Sequence, residues 1–316
     1  MTINWAGVMP AITTCFNENL EIDHDFTSRH VKWLVENGCT GIVTNGSLGE
    51  GGALSLDEKN ALWKTCVSAV GDKVPIIAAI ASMTTEDAVR QARAARDSGC
   101  TGLMVLPPYI YRGDAREMSE HIAAVCAATE LSCMLYNNPV AYGTDFLPEQ
   151  VAELAARIGN LHAVKESSTD VRRITAIRAL TGDRLRIFVG VDDAIVEGIN
   201  AGAVGWIAGV VSAFPKESVD LFNYAIDGEA ENAREIYEWF LPLLRLDTVP
   251  KFVQLIKLVQ EKVGWGSARV RPPRLELVDQ ELAETLKIID TAIANRPNAS
   301  MAIPASSPTI EQSLRH

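Results

Sequence analysis

Residues 161–180 read LHAVKESSTDVRRITAIRAL. Leu161–Lys165 is a short apolar run that ends on a charge, and Asp170–Leu180 is an amphipathic stretch. Together they form a strand followed by a helix, and the same unit recurs along the chain. Strands are expected at Gly7–Thr13, Gly41–Asn45, Val74–Ala81, Gly102–Leu106, Cys133–Tyr136, Leu161–Lys165, Arg186–Gly190 and Gly205–Ala208. Helices are expected at His24–Glu36, Asp57–Val70, Thr85–Ser98, Asp114–Thr129, Leu147–Ile158, Asp170–Leu180, Asp192–Ala201 and Pro215–Ile226. Strands alternating with helices of this length imply a parallel sheet. Eight units within 226 residues favour an α/β fold closed as a (β/α)8 TIM barrel over an open doubly wound sheet. No GxGxxG follows the first strand, which weakens a dinucleotide-binding fold. Glycines 38, 99 and 202, each just before a strand, read as helix C-caps followed by tight turns.

After the eighth unit the pattern becomes all-helical. Glu229–Leu246, Pro250–Val263 and Val278–Asn295 carry long apolar stripes. The expected organisation is a catalytic barrel over 1–226, a C-terminal helical appendage over 227–296 and a flexible tail over 297–316 rich in Ala, Ser and Pro.

Composition narrows the function classes. The chain has 316 residues, 47% apolar and 22% charged, as in an ordinary globular protein and unlike a disordered or fibrous one. Its 29 Lys and Arg against 40 Asp and Glu give a net charge of −11, which argues against nucleic acid or an anionic membrane as partner. A small anion is still compatible, because a few backbone N–H groups can bind a carboxylate inside an acidic protein. No apolar run is long enough for a membrane span, and the start lacks a secretory pattern, so a cytoplasmic protein is expected. The six cysteines include no CxxC pair and the five histidines no HExxH, so buried free thiols and no metal site are expected.

Barrel chemistry sits on the loops after the C-terminal ends of the strands. Lys165 ends the apolar run LHAVK, so its stem should lie in the barrel mouth. Desolvation there lowers an amine's pKa and frees it to attack a carbonyl and form an imine. The alternative is a structural lysine paired with a carboxylate such as Glu50. Tyr136 ends the neighbouring strand, about 4.8 Å away, close enough to shuttle protons at that imine. It can equally be a tyrosine packed at the core rim. Gly46–Glu50, GSLGE, is a Gly-flanked turn whose free N–H groups suit a carboxylate, or a plain tight turn. It is neither a nucleophile elbow nor a P-loop. Gly190, Asp192 and Asp193 lie after the seventh strand, where the aspartates can bind substrate hydroxyls or cap the next helix. Tyr109 after the fourth strand completes the candidate substrate pocket.

Four motifs in register on these strand ends, GVMPAITTCF, GSLGE, YNNP and KESS, with GVDD and GAVGWIAG in support, carry a family resemblance. Over about residues 5–296 the chain resembles the dihydrodipicolinate synthase / N-acetylneuraminate lyase superfamily of class I Schiff-base lyases. The resemblance implies a (β/α)8 barrel with a C-terminal helical domain, a homo-oligomer built as a dimer of dimers, and catalysis without metal or organic cofactor. It implies that Lys165 forms the imine and that Tyr136 transfers protons. Ser47 and Leu48 then bind the 2-oxo carboxylate, and Ile207 lends backbone to that pocket.

Departures from the synthase pattern point to the substrate. The second hydroxyl of the carboxylate loop is replaced by Leu48. The relay tyrosine donated across the dimer aligns with Ile110, with Tyr109 and Tyr111 flanking it as candidate replacements. The arginine expected after YNxP is absent from Val140-Ala141-Tyr142-Gly143, and Cys15 replaces the usual Pro of the first motif. These changes disfavour 4-hydroxy-tetrahydrodipicolinate synthase activity, and the loop changes also disfavour N-acetylneuraminate cleavage. The chain is most similar to the catabolic deaminase of 1-pyrroline-4-hydroxy-2-carboxylate, with aldolases and dehydratases of 2-keto-3-deoxy sugar acids as close competitors. The expected substrate is a small 2-oxo acid or cyclic imine. A non-catalytic regulatory barrel that only binds 2-oxo acids is the reading from a different class.

Overall fold

Alternation of side chains along short strands builds the molecule. In the computed structural model, which describes residues 3–297, eight strands form one sheet. They are β1 (Gly7–Val8), β2 (Ile42–Thr44), β3 (Ile76–Ile80), β4 (Gly102–Val105), β5 (Ser132–Asn137), β6 (Leu161–Glu166), β7 (Arg186–Val189) and β8 (Gly205–Trp206). All neighbours are parallel, in the order β1-β8-β7-β6-β5-β4-β3-β2. The outer members meet through an Ala11–Val43 bridge, with the Ile12 N–H donated to Val43 and the Val43 N–H to Pro10. The sheet thereby closes into the expected barrel. β1 stops short of the expected Thr13 because Pro10 has no N–H to continue the ladder.

Nine helices wrap or flank the barrel among the described residues: α1 (His24–Glu36), α2 (Leu56–Val70), α3 (Thr85–Asp97), α4 (Ala115–Cys126), α5 (Pro139–Tyr142), α6 (Pro148–Arg157), α7 (Arg172–Thr181), α8 (Ile195–Asn200) and α9 (Pro215–Ile226). Three more follow: α10 (Ala230–Leu244), α11 (Phe252–Lys262) and α12 (Asp279–Ala294). Gly38, Gly99 and Gly202 have positive φ at the expected helix ends. The tail expected over 297–316 lies, from residue 298 on, outside the described residues.

Two apolar layers result. One set of strand side chains, including Met9, Val43, Ile77, Met104, Met134 and Phe188, fills the barrel interior. The alternate set, including Ile42, Ile76, Leu103, Leu135 and Val164, packs outward against the helices. That outer core continues without a break into Phe240, Leu244, Ile256 and Ile289 of the C-terminal helices.

A buried charge pair joins the two parts. Lys257 of α11 donates to Glu50, and their side chains are 1% and 0% exposed. The Arg271 N–H holds the second Glu50 oxygen at 3.0 Å, and Lys257 also lies over the Phe16 ring. Removing one partner of such a pair strands a buried charge, at a cost of about 3–5 kcal/mol. Lys257→Met is therefore expected to lower the free energy of unfolding by about that amount in urea titrations. The Glu50→Gln/Lys257→Met double variant should recover part of it, and equal losses in both would refute the pairing.

Candidate active site

Period-two alternation places the lysine. On β6, Ala163 belongs to the barrel interior, so Lys165, two residues on, points the same way, and Glu166 points outward. Glu166 accepts from Asn137 and from the Ser168 N–H and takes no part in the mouth. Tyr136 of β5 lies directly across from Lys165 in the ladder, and the Nζ sits 4.2 Å from its ring centroid. Both are at most 6% exposed. Glu50, the partner a structural lysine would need, is already taken by Lys257. Among the described residues Lys165 makes no ion pair within 4.0 Å.

Burial drives the electrostatics of this pair. It lowers the Lys165 pKa from the ordinary lysine value, against the opposing fields of Asp247, Asp192 and Tyr142. It pushes the Tyr136 phenol up to about 12, although the Asn138 amide donates to its oxygen at 3.0 Å. The amine is thus made a better nucleophile, and the phenolate, once formed, a stronger base.

The Gly46–Glu50 turn sits beside them, joined to Tyr136 through Tyr142. Gly46–Glu50 is a tight turn closed by Glu50 N–H to Ser47 and Gly51 N–H to Gly46. The N–H groups of Ser47 and Leu48 donate to no acceptor among the described residues, which leaves them for an anion. The Ile207 N–H goes to Val189 at 3.0 Å, while its carbonyl receives no backbone N–H among the described residues.

Sequence reasoning passed over Tyr142. It ends α5, a single helical turn opened by Asn138, whose side chain caps the Ala141 N–H, with Pro139 at the first helical position. The Asn-Pro…Gly spacing is a start–stop signal that marks the turn in the sequence. Its hydroxyl is hydrogen-bonded to that of Ser47, and its ring packs on both Tyr136 and Tyr109 at centroid distances of 5.8 and 5.9 Å. Tyr142 therefore ties the Gly46–Glu50 turn to Tyr136, and Tyr109 reaches the site through it.

The two aspartates part ways. Asp192 is fully buried and accepts N–H bonds from Gly209 and Val210, both at 3.1 Å, so it does not cap the helix that follows it. Asp193 turns toward Arg245, its carbonyl accepts the Tyr237 hydroxyl, and no contact joins it to Lys165. Gly190 is required by close approach. A Cβ there would stand 2.0 Å from Ser167 Oγ and 2.7 Å from Cε and Cγ of Lys165. Gly190→Ala is expected to displace the amine and slow borohydride trapping of a 2-oxo acid about a hundredfold, the scale of a ~1 Å misplacement. Unchanged trapping, followed by mass spectrometry, would remove Gly190 from the site. No group of three or more His, Cys, Asp or Glu among the described residues is arranged to hold a metal. No helix among them is long and apolar enough to cross a membrane.

Known proteins resemble the chain over most of its length. Residues 4–292 match the pattern of the Dihydrodipicolinate synthetase family. The 4-hydroxy-tetrahydrodipicolinate synthase of Methanocaldococcus jannaschii is 30% identical over 274 residues, spanning 87% of this chain and 94% of that one. The Bacillus subtilis enzyme of the same name is 29% identical, spanning 88% and 96%. Among solved structures, the dihydrodipicolinate synthase of Thermotoga maritima superposes with a TM-score of 0.86 at 26% identity, covering 92% of this chain and 97% of that one. That of Acinetobacter baumannii, complexed with pyruvate, gives 0.85 at 25% identity, covering 91% and 98%.

Proposed function

We propose that the chain, which belongs to the dihydrodipicolinate synthetase family, dehydrates a small 2-oxo acid or cyclic imine carrying a hydroxyl at C4. The family's enzymes are class I lyases that work through a covalent lysine imine without a cofactor. The candidate we name is 1-pyrroline-4-hydroxy-2-carboxylate, whose dehydration is followed by deamination.

One observation carries the chemistry: the desolvated Lys165 amine facing the Tyr136 phenol across one rung of the sheet. Lys165 adds to C2 while the N–H groups of Ser47 and Leu48 hold the carboxylate. The group displaced from C2, the carbinolamine hydroxyl of a 2-oxo acid or the ring nitrogen of a pyrroline, leaves with the Tyr136 proton as water or as an open-chain amine. The resulting phenolate, next to the iminium, takes a proton from C3 to give the enamine. The enamine electron pair then expels the C4 hydroxyl, and hydrolysis frees Lys165, with loss of ammonia when the substrate is a pyrroline. A compact substrate is supported by Tyr142, whose ring and hydroxyl bridge from Tyr136 to Ser47, and by Val140 and Ala141 where a synthase arginine is expected.

A second reading has its own observation. The Arg112 guanidinium lies against Gly143, its carbon 2.5 Å from where a Cβ would stand. It sets a cation at the edge of the loop that lacks the expected arginine. That favours carbon–carbon chemistry with a carboxylate-bearing aldehyde. Exposed Ile110, Tyr111 and Val140 on the same rim support a homo-oligomer, which sedimentation reads directly. The six free, buried cysteines support a cytoplasmic setting.

The deciding assay offers the purified protein the hydroxypyrroline, 2-keto-3-deoxy sugar acids, and pyruvate with aspartate semialdehyde. Ammonia released from the first is the expected result. Pyruvate released from the second, or condensation of the third, replaces dehydration with aldol chemistry.

A further inference from the structure

Asp247 comes from outside the barrel. It ends the short turn Arg245–Asp247 after α10, yet its carboxyl lies against Gly209, whose N–H is held by Asp192. Asp192 already receives the N–H groups of Gly209 and Val210. Asp247 Oδ1 is buried and has no donor from any other group among the described residues. A Cβ at Gly209 would lie 2.5 Å from this oxygen and 2.7 Å from Leu48 Cδ2, so Asp247 and the carboxylate loop share one wall. The fields of both carboxyls reach Lys165.

Asp192 is fully buried and Asp247 half-buried with its Oδ1 sealed from solvent, and two carboxyl groups flanking one glycine there disfavour a double charge, so one proton stays with the pair. Two backbone donors fix the negative charge on Asp192, which leaves the proton on Asp247. Burial and the Asp192 charge hold the Asp247 pKa well above the carboxylate range, in accord with that assignment.

We propose that Asp247 is a catalytic acid of the pocket, protonating the C4 hydroxyl as it departs. This rests on the dehydration reading above. In the step, the enamine pair forms the C3–C4 double bond, the C4–O bond breaks with its electrons on oxygen, and the Asp247 proton completes water. Asp247 is left as carboxylate. The water that later adds to C2 returns a proton to it. Nothing is oxidised or reduced.

The test compares the wild type with Asp247→Asn on three readouts. These are turnover of the 4-hydroxy substrate, turnover of its 4-fluoro analogue, and deuterium wash-in at C3 of 2-oxobutyrate, which has no group to lose. Asp247→Asn is expected to lose about 10²–10⁴-fold with the hydroxyl, the worth of a positioned acid. It should lose far less with fluoride, which leaves unprotonated, and exchange C3 deuterium within a few-fold of wild type. If Asp247→Asn does not fold, Asp247→Glu keeps an acid and is expected to retain part of the hydroxyl turnover relative to fluoride. Equal losses on all three readouts overturn the proposal, because Asp247 then only positions Lys165. Full hydroxyl turnover in the variant overturns it as well. A wild type that forms the imine yet dehydrates nothing overturns the substrate reading and this role together, whereas the other outcomes leave that reading intact.

Discussion

Lys165→Ala is expected to lose on the order of 10⁵–10⁶-fold in turnover, the scale of deleting a covalent nucleophile. Lys257 cannot stand in, since it is locked on Glu50 and buried elsewhere. The fold should persist, because the change removes a desolvated cation whose burial opposes its charge. Borohydride with pyruvate should mark the wild type by one covalent adduct on residue 165 and leave the variant unmarked, with identical circular dichroism. Turnover surviving in the variant would end the imine mechanism. The same amine sets a pH dependence. Only the neutral form adds to a carbonyl, and burial lowers the Lys165 pKa, so the neutral form appears at lower pH than in an ordinary lysine. Trapping should therefore rise with pH to a midpoint below about 10.4, the free lysine value. A midpoint at or above that value would mean that the nearby carboxylates outweigh desolvation.

Tyr136→Phe is expected to cost about 10²–10⁴-fold. The phenol is buried, its pKa is pushed up to about 12, and it is held by one amide from Asn138. In the proposed mechanism it gives up a proton only to a leaving group beside it, and the phenolate, unusually basic, then takes the C3 proton. Phenylalanine keeps the ring over Lys165 and loses both transfers. Deuterium wash-in at C3 of a trapped 2-oxo acid should therefore fall as far as turnover does. Exchange that continues at the wild-type rate would reassign proton transfer to another group, with Tyr142 the nearest candidate.

Much of this was legible before any coordinates. The run LHAVK placed Lys165, and a strand ending one rung away placed Tyr136, because inward and outward positions alternate strictly along a strand. Helix ends at Gly38, Gly99 and Gly202 followed from the need for positive φ. What stayed hidden depended on long-range packing. Tyr142 lies on a four-residue turn too short to show a helical period. Asp247 is remote in sequence from every strand end, so no local pattern ties it to Asp192. Asp192 and Asp193 are adjacent and chemically alike, and only the neighbours brought by β8 and α10 decide that one faces Gly209 and the other Arg245. The partner of Glu50 is hidden for the same reason, since Lys257 reaches it across 207 positions.

The Glu50–Lys257 link has a consequence for how such a gene can be divided or recombined. A cut after Ile226 would leave eight intact repeats that look self-sufficient on paper. Glu50, however, closes the turn that presents Ser47 and Leu48, and its counter-charge would be gone. Splicing in the C-terminal helices of a relative would succeed only where the donor supplies a cation at the position of Lys257. The first half of the chain and its last third are thus inherited as one unit of selection, and crossovers between them should be tolerated rarely.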